Sequence, residues 1–133
     1  MKLQPHQVKV TKPWGYELIF TPQEAPAAAK VLHLNADAEL SLQYHDKKTE
    51  TLILISGEAN IIVGETEDTL VSEKMIPKHG YFIPHGLIHR IVSLTDCDIF
   101  ESSTPETGTT VRLEDEYHRP NETSQDRLEA RQN

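Results

Sequence analysis

Turn-forming residues cut the middle of this chain into short apolar runs, and that interruption limits its possible folds more than any other feature. Ser56-Gly57-Glu58, Gly64-Glu65, His79-Gly80, Pro84-His85-Gly86 and the segment 105–108 each mark a reversal. Between and beside them lie apolar runs at residues 29–34, 50–55, 60–63, 81–83, 87–94, 99–101 and 109–113. Runs this short and this rich in β-branched residues predict strands, and even spacing predicts an all-β sandwich or barrel. No helical stripe precedes residue 120. Residues 21–29 allow at most one helical turn, because Pro22 and Pro26 keep it short. Residues 1–120 are therefore expected to form the barrel. Residues 121–133, polar and poor in aliphatics, are expected to form a short flexible tail, frayed or weakly helical.

At 133 residues the chain has enough length for one domain with a core of its own. The net charge of −8 falls mostly on the second half, and no basic stripe with interleaved aromatics is present. Nucleic acid is thus not an expected partner. No apolar run reaches membrane-spanning length, and the first ten residues lack the apolar stretch of a secretion signal. A cytoplasmic chain with no membrane partner is the expectation. The single cysteine, Cys97, sits between Asp96 and Asp98, which disfavours its thiolate; a small residue packed in or beside a strand is expected.

Two windows carry chemistry. In Leu40-Ser41-Leu42-Gln43-Tyr44-His45-Asp46-Lys47-Lys48-Thr49-Glu50, strand periodicity aims Gln43 and His45 the same way. Glu50 opens the next apolar run and faces the same interior if the charged turn folds back. In Gly80-Tyr81-Phe82-Ile83-Pro84-His85-Gly86-Leu87-Ile88-His89, the Pro-x-Gly turn feeds a strand on which His89 shares its side with Leu87 and Ile91. A histidine between apolar neighbours needs a partner when buried, and a metal is one such partner. Gln43, His45, Glu50 and His89 together offer two imidazoles, a carboxylate and an amide oxygen. That set suits one divalent transition metal, Zn, Mn, Fe, Co or Ni, with positions left for water or substrate.

These windows resemble the two cupin motifs, Gly-x5-His-x-His-x4-Glu-x6-Gly and Pro-x-Gly-x2-His, which implies a double-stranded β-helix (jelly-roll barrel). Gln43 stands at the first His position and Asp37 at the leading Gly position. The Gln-x-His pair is similar to phosphomannose isomerases, and the longer pattern resembles the C-terminal cupin domain of bifunctional mannose-6-phosphate isomerase/guanylyltransferases. Lys12-Pro13-Trp14-Gly15, the stretch 40–45, Ile55-Ser56-Gly57, the stretch 83–90 and the stretch 111–119 carry that likeness, which spans residues 8–120. The chain departs from the pattern after His45, where Asp46-Lys47-Lys48 replaces further histidines, and at Thr51-Leu52, Ser93 and His118.

The resemblance implies a metal-dependent sugar or sugar-phosphate isomerase or epimerase, and by analogy a homodimer. A proton must then pass between adjacent carbons, and a ligand such as Glu50 is poorly suited to carry it. His33, with Lys30 and Arg112, forms the expected catalytic set. Lys47, Lys48, Arg90 and Arg112 are the expected cations for a substrate's phosphate or carboxylate. The same metal set would also suit a dioxygenase or lyase acting on a small acid, or a metabolite-binding cupin without turnover.

Overall fold

The structure, a computed structural model, describes residues 2–132; Met1 and Asn133, the outer ends of the expected barrel and tail, lie outside the described residues. The strands in chain order are β1 (Val8–Lys12), β2 (Gly15–Ile19), β3 (Ala28–Leu34), β4 (Leu42–His45), β5 (Glu50–Ser56), β6 (Ala59–Gly64), β7 (Val71–Lys74), β8 (Gly80–Ile83), β9 (Ile88–Ser93), β10 (Cys97–Ser103) and β11 (Thr110–Glu114). A helix, α1 (Ser124–Gln132), follows. One sheet has the order β1-β2-β3-β10-β5-β8 and the other β11-β4-β9-β6-β7, with every pairing antiparallel. The expected all-β barrel is thus what the chain forms.

Period-two alternation along the central strands divides the interior into two halves. On β3, Lys30, Leu32 and Leu34 are buried while Val31 and His33 lie on the other face. On β5 the buried set is Glu50, Leu52 and Leu54, and on β10 it is Cys97, Ile99, Glu101 and Ser103. The register sets Ile99 opposite Leu32 and Leu54, and Glu101 opposite Lys30 and Leu52. Opposed residues share a face. One end of the interior is therefore packed by Leu34, Leu54, Ile61, Ile91 and Ile99, all at most 2% exposed, and the other end receives charged groups.

Some elements differ from expectation. Strands β1, β2 and β7 carry no apolar alternation strong enough to announce them; β7 is exposed along its whole length, as a polar edge strand can be. Residues 21–29 hold no helix, only a turn closed by the Ala25 amide on the Pro22 carbonyl at 3.1 Å and the first residues of β3. The segment expected as a flexible tail folds back on the barrel. Glu122 exchanges two backbone hydrogen bonds with Thr110 (2.8 and 3.0 Å), and Arg131 in α1 donates to the Thr21 carbonyl at 2.7 Å. Among the described residues, no helix is long and apolar enough to cross a membrane. Cys97 is buried at 1% exposure, and burial together with Asp98 pushes its thiol up to about 11.

Two turn glycines hold the site-bearing strands in place. Gly57 has φ 81°, and a Cβ there would meet the Asp96 carbonyl oxygen at 2.1 Å. Gly86 has φ 84° in open space, and its amide donates to the His45 carbonyl at 2.8 Å, tying the second motif's turn to the first motif's strand. An L-residue in the left-handed region costs roughly 1–2 kcal/mol. Gly86→Ala is therefore expected to lose about that much in urea unfolding, and Gly57→Ala distinctly more because backbone must also move. Equal losses would show that the Asp96 contact relaxes freely.

Candidate metal centre

Three donors meet where the sheets come together. β4 delivers His45, β9 delivers His89 from the same sheet, and β5 opens with Glu50 from the other. Their ligand atoms all lie within 4.8 Å of one another. One carboxylate oxygen of Glu50 is 3.2 Å from His45 Nε2 and 3.0 Å from His89 Nε2. All three side chains are at most 5% exposed. Each imidazole is oriented through its other nitrogen: His45 Nδ1 sits 3.0 Å from the Thr110 hydroxyl, and His89 Nδ1 2.9 Å from the Leu87 carbonyl oxygen. That arrangement aims both Nε2 atoms at the shared point, as partners beyond the ligands do in metal sites.

The electrostatics fit a cation there. Burial, reinforced by Lys48, brings His45 down to about 4 against the pull of Glu50, so its imidazole is neutral at physiological pH. Burial opposes the Glu50 charge, but Lys48, a hydrogen bond with His45 and the adjacent His89 hold the carboxyl well below its usual range. His89 Nε2 and the second oxygen of Glu50 are buried without hydrogen-bond partners. Buried polar atoms without a hydrogen bond call for an unseen partner, and two imidazoles with a carboxylate suit a divalent transition metal. Gln43 faces His89 across the β4–β9 pair and lines the same cavity; its amide oxygen accepts a hydrogen bond from the Ser41 hydroxyl at 2.5 Å.

A buried ion cluster adjoins this group. Lys48 Nζ lies 3.3 Å from Glu50 and 3.2 Å from Glu101. Lys30 Nζ lies 3.4 Å from Glu17 and 3.7 Å from Glu101, and is also bonded to Glu106. Burial alone would discharge both lysines; Glu101, Glu106 and Glu17 instead raise Lys30, and Glu101 and Glu50 raise Lys48. Burial and the neighbouring Glu50 push the Glu101 carboxyl up to about 8, while Lys30 and Lys48 overcome burial and depress Glu106.

Toward the mouth, a second carboxylate is ringed by cations. Glu122 lies 3.5 Å from Lys12, 3.5 Å from Arg112 and 3.4 Å from Arg127. Lys12, Trp14, Gln43, Glu101, Arg112 and Arg127 are among the side chains lining the cavity that runs from this ring to His45, Glu50 and His89. The cavity's volume is about 70 Å³.

Of the residues singled out in the sequence, the structure brings together Gln43, His45, Glu50, His89, Lys30, Lys48 and Arg112. Three others stand apart and are corrected. His33 lies on the outward face of β3, stacked on Tyr16 at 4.8 Å and 2.8 Å from Asp98, because alternation turns it opposite to Lys30 and Leu32. Arg90 follows His89 on β9 and points the other way, bonded to the Leu40 carbonyl and Glu114. Lys47 is exposed in the turn before Lys48. Sequence reasoning missed Glu17, Glu101, Glu106, Thr110, Glu122 and Arg127. The signal for Glu101 was its even spacing from Ile99 on one strand; for the others it lies in pairings made only on folding.

The family model described as mannose-6-phosphate isomerase C-terminal matches residues 1–101. A xanthan biosynthesis protein, XanB, of Xanthomonas campestris pv. campestris is 32% identical over 117 residues, 84% of this chain. The chain spans 24% of that relative's length. Among solved structures, KdgF from Halomonas sp. is similar with a TM-score of 0.64 at 16% identity, covering 76% of this chain and 89% of that one. A B. subtilis oxalate decarboxylase variant gives 0.66 at 19% identity, covering 83% and 30%. The capsular polysaccharide assembling protein CapF of Staphylococcus aureus gives 0.62 at 14%, covering 90% and 33%. At such identities these likenesses establish the fold.

Metal analysis by mass spectrometry is expected to find about one transition-metal ion per chain, lost in His89→Ala. Thr110→Val, which removes only the hydroxyl beside His45 Nδ1, is expected to weaken metal affinity by about 10–100-fold. A metal-free wild type after reconstitution with Zn, Mn, Fe, Co and Ni would remove the ligand assignment.

Proposed function

The chain belongs to the mannose-6-phosphate isomerase C-terminal family, and from that premise we propose that it is a metal-dependent isomerase or epimerase of a sugar or sugar phosphate. The observation that carries this reading is the buried His45, Glu50 and His89 group, two of whose ligand atoms make no hydrogen bond, set beside two charged lysines. Gln43, from the same cavity wall, is proposed as the fourth ligand.

A divalent metal held there would supply Lewis acidity toward neighbouring carbonyl and hydroxyl oxygens of an aldose or ketose. The protein's own groups supply the rest. Lys30 and Lys48 stay protonated among their carboxylates, so they serve as donors to negative charge developing on substrate oxygens, not as bases. Glu101 lies between them and lines the cavity, which supports it as the carrier of a proton between adjacent carbons. Arg112, at the mouth, is the proposed cation for the substrate's anionic group.

The test is isomerisation of mannose 6-phosphate to fructose 6-phosphate by protein loaded with each candidate metal. Turnover is expected, and Glu101→Gln is expected to lower kcat by about 10²–10⁴-fold with metal content unchanged. Sugar-phosphate binding without turnover would identify a metabolite-binding cupin, and oxygen uptake by the iron form would identify an oxygenase.

A homodimer is proposed with this reading. Val71, Ile76 and Phe82, 56–63% exposed on or beside the outer strands β7 and β8, are the apolar residues that support it. Light scattering after size-exclusion chromatography is expected to give twice the chain mass, and Phe82→Glu to return it to the monomer value.

A further inference from the structure

The cavity is too small for the ligand that its lining suits. Small-molecule sites usually offer about 300 Å³ or more, against about 70 Å³ here. What fills the mouth is the chain itself. After β11 the backbone turns back, and Glu122 pairs with Thr110 at the open end of β11. The Glu122 carboxylate then sits among Lys12, Arg112 and Arg127, which come from β1, β11 and α1. Pro120 and Asn121 are held to the same cation, the carbonyl of one accepting from the Arg112 guanidinium at 2.6 Å and the side chain of the other from the Arg112 amide at 2.8 Å.

The fit is incomplete. The Nε–H groups of Arg112 and Arg127 are buried with no acceptor, although both side chains are close to nine-tenths buried. A carboxylate has two oxygens to offer three cations. A phosphate monoester has three, carries more charge, and accepts the same bidentate guanidinium bonds.

We propose that residues 120–132 form a displaceable strap, and that Glu122 occupies, as an internal counter-anion, the subsite that a ligand's phosphate takes over when it enters. This deepens the isomerase reading and rests on it for the sugar portion of the ligand, but the exchange of Glu122 for phosphate needs neither metal nor turnover. The strap is suited to leave: α1 has no buried residue, and it is held chiefly by Arg127, Arg131 and the Thr110–Glu122 bridge.

Inorganic phosphate, titrated calorimetrically into the full chain in the presence of EDTA and at constant ionic strength in chloride, tests this. Glu122→Gln is expected to bind phosphate at least about tenfold more tightly than wild type, because a competitor with a share of the site has been removed. Glu129→Gln, which removes the same charge from the exposed side of α1, is expected to bind as wild type does, and adding Arg112→Gln to Glu122→Gln is expected to abolish the gain. In wild type, saturating phosphate is expected to speed amide hydrogen exchange across 122–132. Equal affinities of wild type and Glu122→Gln, or an equal gain in Glu129→Gln, would overturn the proposal. Should Glu122→Gln not fold, the wild-type exchange decides: faster exchange supports the strap, and unchanged or slower exchange overturns it. Absence of isomerase activity would leave each of these readings as it stands.

Discussion

The ammonium of Lys48 lies between two carboxylates that share one dry space, 3.3 Å from Glu50 and 3.2 Å from Glu101. Without it, Glu50 and Glu101 could not both be ionised where water cannot screen them. A buried charge left unpaired costs several kcal/mol, so the cluster holds only as a set. Lys30 and Glu106 extend the same logic outward: each cation contacts more than one carboxylate, and Glu106 contacts both cations. Such networks add little to stability compared with apolar packing. What they fix is protonation and position, leaving Glu50 anionic and both lysines charged at the wall of the cavity.

The barrel accommodates this cost by dividing labour along individual strands. On β3, β5 and β10 the inward positions change from apolar to polar from one end to the other, and on β9 Ile91 packs below His89. Leu34, Leu54, Ile91 and Ile99 pack the far end at 0–1% exposure, while Lys30, Glu50, His89 and Glu101 occupy the near end of the same strands. The core is thus the foundation on which the polar groups stand, with no flexible loop between packing and chemistry.

Much of this was legible in the sequence because the informative signals were local. Gln43, His45 and Glu50 fall within one turn and two strands, and Pro84 to His89 is a single turn and strand start. Asp37, at the position where the cupin pattern carries glycine, has φ 57°, a conformation that Asp tolerates and glycine adopts freely. The groups that escaped notice depend on register or on return of the chain. Glu101 meets Lys30 only because β10 pairs with β3 in that register. Glu106 lies in a segment that reads as a turn, and Glu122 and Arg127 lie in one that reads as a tail. His33 and Arg90 were misjudged for the opposite reason: their neighbours' direction was known, but not which face the barrel would close upon.

The donor triad draws on both sheets, His45 and His89 from one and Glu50 from the other. Residues 45 and 89 are far apart in sequence, so an unfolded chain cannot present the three together. An ion bound by all of them would bind the closed barrel and not the open chain, and its binding free energy would add to folding free energy in proportion to RT ln(1 + [M]/Kd). Chelation and unfolding are then two views of one equilibrium: an agent that strips the ion loosens the seam between the sheets, and heat or denaturant that opens the seam releases the ion. Resistance to unfolding would follow the free metal concentration around the protein as well as the quality of its core.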